Sequence, residues 1–132
     1  MSYAKVRKLA KNYYKIEQFL FFYEDISKNK KFFLNRDFLG KDYKSFVKII
    51  RYMKIYKSIF LKCLNKLPEG DAFIVREIYV KGKSLYAVAF ENYISDSTAY
   101  RILKKFNFIF FSDMKKVSRI VNPLLEELRD KI

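Results

Sequence analysis

Histidine and tryptophan are absent from this 132-residue chain, and cysteine, proline and glycine number one, two and three. Without histidine, the side chain that most often serves as a general base is missing. Zinc sites take several Cys or His ligands, and the sequence does not offer them. Three scattered glycines form no Gly-rich phosphate loop. We therefore predict that the protein is not an enzyme and that it uses neither a metal nor a cofactor.

Long apolar runs are also missing. No stretch of about 18 uncharged apolar residues occurs, so we expect no transmembrane helix and no membrane partner. Lysine and arginine occupy four of the first eleven positions, before any apolar run, which argues against a signal peptide. The single Cys63 cannot form an internal disulfide, and this fits a reduced, cytoplasmic chain.

Positive charge is what the sequence has in excess. It contains 28 Lys and Arg against 14 Asp and Glu, a formal net charge of +14. Such an excess favours polyanionic partners through Coulomb attraction and counterion release, with nucleic acid ahead of a membrane surface. The charge is concentrated in residues 1–66, where 17 basic residues face 5 acidic ones, whereas residues 67–132 hold 11 and 9.

Apolar residues recur at steps of three and four along two segments, 2–29 and 43–67, which predicts two long amphipathic helices. Residues 30–42 are predicted to connect them, with Phe32, Phe33, Phe38 and Leu39 tucked against the core. Two such helices joined by a loop would form an antiparallel hairpin. Their apolar stripes predict either an intramolecular core or a coiled-coil-like dimer seam.

The second half of the chain predicts shorter helices. We expect them over 69–80, 85–91, 96–106 or beyond, and 114–131, the last bent or restarted at Pro123. Gly82 is suited to closing one of these helices, and Ser84 and Ser95 are suited to capping two others. Residues 106–111 alternate in a way that fits either a short strand or a buried helix. The predicted fold is all-α, with a helical hairpin over 1–67 and a helix-turn-helix domain with a C-terminal helix over 68–132.

The helix-turn-helix is predicted from the small and apolar residues between 84 and 106. Two helices that meet at a wide angle need small residues where they cross, and Ala89 and Ala99 can supply them. Anchors facing the rest of the domain are expected at Val88, Ile94, Ile102 and Phe106. The second helix would then present short polar residues first and cations later, the order that suits a helix entering the major groove. The predicted DNA-binding residues are Ser95, Asp96, Ser97, Thr98, Tyr100, Arg101, Lys104 and Lys105.

Residues 67–106 resemble region 4 of bacterial sigma factors and the small phage activators of the ArpU and RinA type. The likeness is carried by Leu67-Pro68-Glu69, Tyr79, Gly82, Ser84-Leu85, Val88-Ala89, Ile94-Ser95-Asp96-Ser97-Thr98 and Tyr100-Arg101. It implies a helical domain whose last helix contacts DNA bases. The turn position that is commonly Gly in those families is Tyr93 here. We expect Asn92, rather than Tyr93, to adopt the left-handed conformation.

A second basic surface is predicted on the helix over 43–67, which contains no acidic residue. Candidate phosphate contacts there and in the later turn are Lys44, Lys48, Arg51, Lys81 and Lys83. We predict a homodimeric, sequence-specific regulator of transcription that binds double-stranded DNA and is encoded by a phage or mobile element. Three alternatives stay open: a sigma-like factor that contacts RNA polymerase, a phage small terminase subunit, and a helical scaffold that binds partner helices without DNA.

Overall fold

The computed structural model describes residues 2–28 and 42–131, and every regular element in those ranges is helical. The all-α prediction is therefore confirmed for these residues. The elements are α1 (Tyr3–Lys11), α2 (Tyr13–Ser27), α3 (Tyr43–Leu64), α4 (Glu69–Val75) with a π-helical turn (Arg76–Val80), α5 (Leu85–Glu91), α6 (Asp96–Met114), a 3-10 segment (Lys115–Ile120) and α7 (Val121–Lys131). The predicted connection, with its four apolar residues, lies outside the described residues except for Asp42. No helix in the described ranges has the length and apolar character that crossing a membrane requires.

The first predicted helix, over 2–29, is wrong as a single element because Asn12 divides it. The backbone of Asn12 has φ −107° and ψ 22°, and its side-chain amide donates a hydrogen bond of 2.8 Å to the carbonyl of Lys8. A short amide side chain can compete in this way for the carbonyl one turn back. The apolar stripe nevertheless continues across the break, since Leu9, Tyr13 and Ile16 are all buried.

Side-chain caps fix where several helices begin. The Asp42 carboxylate accepts the backbone N–H of Ser45 at 2.7 Å, and the Ser84 hydroxyl accepts that of Ala87 at 3.1 Å. Each cap satisfies a backbone donor that the first helical turn leaves without a partner. The predicted starts of α3 and α5 are thereby confirmed. At the other end α3 stops at Leu64, three residues before the predicted end at Leu67.

The apolar stripes of the N-terminal helices form an intramolecular core. The stripe residues of both segments are buried within one chain: Val6, Leu9, Tyr13, Ile16, Leu20 and Tyr23 in the first, and Phe46, Ile49, Met53, Tyr56, Phe60, Cys63 and Leu67 in the second. The ring of Phe60 stacks on that of Tyr13 at 4.0 Å and meets Phe106 of α6 edge-on at 4.9 Å. One core therefore draws on residues from both halves of the chain. The boundary between 67 and 68 stays a prediction.

Residues 106–111, whose alternation fits either a strand or a buried helix, continue α6 as a helix. Phe106 and Phe110 are fully buried and stack on each other at 5.9 Å, whereas Phe108 is 62% exposed. This pattern is that of a helix with one buried side rather than a strand. The final helix α7 restarts at Val121, and Pro123 lies in its first turn, where a missing backbone N–H costs no hydrogen bond.

Gly82 ends the π-helical turn in a left-handed conformation, with φ 73°. A Cβ at this position would lie 3.4 Å from the Tyr14 ring, which is an ordinary contact distance, so the backbone conformation rather than lack of space favours glycine here. We expect Gly82→Ala to lower the free energy of unfolding by about 1–2 kcal/mol, because an L-residue is strained there.

Gly70→Ala is the matched control for Gly82→Ala. Gly70 lies in α4 without positive φ, and a Cβ there would meet no atom within 4 Å. Alanine at this position should raise the free energy of unfolding by about 0.5 kcal/mol, since it reduces the freedom of the unfolded chain. Urea titrations of both variants measure the two changes in the free energy of unfolding. Equal effects of the two substitutions would contradict the assigned backbone conformations.

Candidate functional site

The two alanines predicted at the crossing of α5 and α6 are both buried. Ala89 of α5 and Ala99 of α6 are each 0% exposed. Of the predicted anchors, Val88 and Phe106 are fully buried, whereas Ile94 and Ile102 are partly buried against the core. Burial of these small side chains is what a pair of helices that meet at a wide angle requires.

The turn between these helices is closed by Tyr93, and the prediction that Asn92 would be left-handed is wrong. Tyr93 has φ 57°. The N–H of Ile94 donates to the carbonyl of Ala89 at 3.1 Å, and the N–H of Tyr93 donates to that of Phe90 at 3.3 Å. These two bonds define a Schellman motif, which places its left-handed residue at Tyr93. Asn92 instead donates its side-chain amide to the carbonyl of Val88 at 2.8 Å.

Tyr93→Gly should stabilise the fold by about 1 kcal/mol, because glycine adopts the left-handed conformation without strain. The tyrosine ring is 97% exposed, so little packing is lost. Asn92→Gly is the control and should be destabilising, since it removes the bond to the Val88 carbonyl. Thermal unfolding of both variants shows whether each substitution raises or lowers the stability. A stabilising Asn92→Gly beside a destabilising Tyr93→Gly would contradict this turn.

Exposed polar side chains follow one side of α6. The Ser95 hydroxyl caps the helix by accepting the N–H of Thr98 at 3.1 Å, and it donates to the Thr98 hydroxyl at 2.9 Å. Thr98 is half-buried and belongs to this cap. Ser97, Arg101 and Lys104 follow at steps of four and three, are exposed, and form no ion pair with any described residue. We call these three residues, with Tyr100 beside them, the α6 face.

The predicted site residues do not all belong to the α6 face. Asp96 is exposed in the first turn, where a negative charge suits the helix dipole. Lys105 lies to the other side of α6, with its ammonium 3.7 Å from the Asp71 carboxylate of α4. Tyr100 is 56% exposed. The α6 face is therefore narrower than the predicted set of DNA-binding residues.

Lys81 and Lys83, predicted as phosphate contacts, flank a buried acid. The side chain of Glu77 is 9% exposed, and its carboxylate lies 3.4 Å from the Lys81 ammonium and 3.3 Å from that of Lys83. Burial acts to raise the pKa of Glu77, but the two ammoniums outweigh it and hold that pKa below its ordinary value. Lys83 also pairs with Glu91 at 3.6 Å. Both cations are thus partly neutralised.

The basic side of α3 lies opposite its buried side. Lys44, Lys48, Arg51 and Lys62 are exposed, and none forms an ion pair with a described residue. Three neighbouring lysines differ in this respect. Lys54 pairs with Glu24 at 3.6 Å, Lys57 pairs with Glu17 at 3.4 Å, and Lys66 contacts Asp113 at 2.8 Å. We call the four exposed residues without ion pairs the α3 basic face.

A groove lies between α1, the Gly82 turn and α6, and the sequence analysis did not identify it. Its volume is about 520 Å³. Arg7 and Lys11 line it from α1, and Tyr100 and Lys104 line it from α6. A signal was present in the sequence, since Tyr3, Arg7 and Lys11 recur at steps of four. The spacing alone does not predict a groove, because it does not show which distant helix packs beside α1.

Neither models of protein families, nor curated proteins, nor solved structures give a significant match to this chain. The resemblance of residues 67–106 to sigma region 4 and to the phage activators therefore stays a prediction from the residues themselves.

Proposed function

We propose that this protein is a sequence-specific double-stranded DNA-binding regulator of transcription, in which α5 and α6 act as a helix-turn-helix. One observation carries the proposal: Ala89 and Ala99 are completely buried, while Ser97 and Arg101 are exposed on the Ser95-capped helix that follows. A recognition helix requires this combination of a buried crossing and an exposed N-terminal face.

The α6 face supplies the chemistry of base and phosphate contact. The Arg101 guanidinium forms no hydrogen bond or ion pair with a described residue, so it is available for a bidentate contact to guanine. Ser97 is short enough to let the backbone of α6 approach the base edges. Lys104, one turn further along, fits a phosphate contact where the helix leaves the groove. Lys105, held toward Asp71, contributes general attraction rather than a base contact.

The α3 basic face would add phosphate contacts beyond the helix-turn-helix. The logarithm of the binding constant falls linearly with the logarithm of the salt concentration. Each phosphate that a cation neutralises makes this slope steeper by about 0.9. We expect Lys48→Gln with Arg51→Gln to reduce this slope by about 2, as measured by titrating a labelled duplex at several salt concentrations.

The control for this pair is Lys54→Gln with Lys57→Gln on the same helix. These two lysines are paired with Glu24 and Glu17, so their loss should change the slope much less. Equal slopes for the two double variants would show that the α3 basic face does not contact DNA phosphates.

A second candidate function is a sigma-like factor that also contacts RNA polymerase. Its support is the exposure of two large side chains at the end of α5, Phe90 at 83% and Tyr93 at 97%. Exposed aromatic side chains are common where proteins bind one another. Co-purification of a monomer with polymerase, lost in Phe90→Ser, would favour this function over an independent regulator.

Selection of bound duplexes from a random pool, at about 50 and about 200 mM salt, tests the proposed function. Enrichment of one motif at both salt concentrations supports a regulator. A two-fold motif with half-sites about 10 base pairs apart supports the predicted homodimer. Uniform recovery of sequences contradicts sequence-specific binding.

A further inference from the structure

The groove between α1 and α6 has the composition of a ligand site. Its volume of about 520 Å³ falls within the range of about 300–1,000 Å³ that is usual for small-molecule sites. Four cations line it: Arg7, Lys11, Lys83 and Lys104. No acidic residue is among the described residues of its lining. The groove therefore concentrates positive charge that its own walls do not neutralise.

The cations of the groove differ in how they are engaged. Lys83 is paired with Glu77 and Glu91. Arg7, Lys11 and Lys104 are exposed, and within the part of the chain that the structure describes they form no ion pair. Three cations around one concavity repel one another, and a bound anion would relieve that repulsion. Phosphate is the anion that such clusters of Arg and Lys bind well.

Tyrosine rings give the same groove flat apolar surfaces. Tyr14 borders it from α2, Tyr86 from α5 and Tyr100 from α6. Tyr86 and Tyr100 are 70% and 56% exposed, so their rings are accessible to a ligand. Stacking on aromatic side chains is the usual way in which proteins hold an unpaired base.

A buried amide adds a directional group to the groove. Asn107 is 5% exposed and lines the groove from α6. Burial raises the pKa of Tyr79 to about 12, so its phenol stays protonated and donates to Asn107 Oδ1 at 3.0 Å. This bond occupies the Oδ1 end of the amide. The NH2 end forms no hydrogen bond with a described residue, and it can donate to a ring nitrogen or carbonyl of a ligand.

We propose that this groove binds a nucleotide, with its phosphate at Arg7, Lys11 and Lys104 and its base between the tyrosine rings, within reach of the Asn107 amide. The site goes beyond the proposed function. It shares Tyr100 and Lys104 with the α6 face, but Arg7, Lys11 and Tyr86 lie outside that face, so nucleotide binding can be tested separately from duplex binding. The nucleotide is either a free mononucleotide or one unit of a single strand, because both present the same phosphate and base.

Isothermal titration with AMP, GMP, CMP and UMP tests the site. We expect at least one of them to bind, and we expect adenosine and ribose 5-phosphate to bind about tenfold more weakly or less well, because each lacks one of the two recognised groups. A second titration uses a single strand of about six nucleotides. If the strand binds more tightly than every mononucleotide, the ligand of the groove is a single strand. If a mononucleotide binds more tightly, the ligand is a free nucleotide.

Two sets of variants locate the binding. Arg7→Gln with Lys11→Gln should weaken it about tenfold or more, whereas Lys8→Gln with Lys28→Gln, exposed lysines that do not line the groove, should change it less than about twofold. Tyr86→Ala should weaken nucleotide binding about tenfold while leaving ribose 5-phosphate unaffected.

Thermal unfolding of each variant confirms that it is folded before binding is measured. Three results would overturn the proposal: no binding of any of the four nucleotides up to about 1 mM, equal binding of ribose 5-phosphate and the nucleotides, or equal effects of the two lysine-containing double variants.

Discussion

Reversing the charge of Arg101 and Lys104 together is expected to weaken duplex binding by about a hundredfold or more. Loss of a base contact costs about 1–3 kcal/mol, and loss of the phosphate contact adds to it. Both residues are exposed on the α6 face, so Arg101→Glu with Lys104→Glu should leave the fold intact. The measurement is the anisotropy of a labelled duplex carrying the selected motif.

Lys8→Glu with Lys28→Glu is the control for this loss. It makes the same change in net charge at exposed positions of α1 and the end of α2. General electrostatic attraction predicts similar losses for both double variants, because only the total charge matters in that case. A localised site predicts a much larger loss for the α6 pair. Similar losses would therefore contradict the assignment of the α6 face.

Phe60→Ala should lower the free energy of unfolding by about 3–5 kcal/mol, the usual cost of truncating a fully buried phenylalanine. The ring is 0% exposed and contacts Tyr13 at 4.0 Å and Phe106 at 4.9 Å. The cavity would open where α2, α3 and α6 meet, so no single helix could close it. Urea unfolding monitored by circular dichroism measures the loss.

Phe90→Ala is the matched control for the Phe60 prediction, since Phe90 is 83% exposed on α5. Removing its ring should change the stability by no more than about 0.5 kcal/mol. A small effect of Phe60→Ala, comparable to that of Phe90→Ala, would contradict the shared core between the two halves of the chain.

Local chemistry explains the parts of the fold that were predicted correctly. Ser84 and Ser95 mark the starts of α5 and α6 because an N-cap depends only on the three residues that follow it. The apolar stripes of α2 and α3 were predicted because helical periodicity is also local. For the same reason Gly82 was correctly expected to end a helix, since its φ is 73°.

The errors arose where particular hydrogen bonds, from a side chain at Asn12 and from the backbone at Tyr93, outweighed the preferences on which the predictions were based. Asn12 breaks the first helix although the apolar stripe passes through it in phase. Tyr93, rather than Asn92, is left-handed because the two Schellman bonds at the end of α5 require the left-handed conformation at Tyr93. Intrinsic preference favours Asn at such a position, but the hydrogen bonds of the turn outweigh it.

The site could be predicted only in part because several of its members come from distant segments. Ser97 and Arg101 share a helix, and helical spacing was enough to place them on one side. The pairing of Lys105 with Asp71 and the approach of Arg7 to α6 depend on how distant helices pack. No periodicity within one helix contains that information.

Repeating the duplex selection with Arg101→Ala tests the central claim most directly, because base contact affects specific positions of the site. We predict that the enriched motif loses its preference at one or two neighbouring base pairs and keeps the others. An unchanged motif, recovered with uniformly lower affinity, would show that Arg101 contacts only phosphates and would contradict the role assigned to the exposed face of α6.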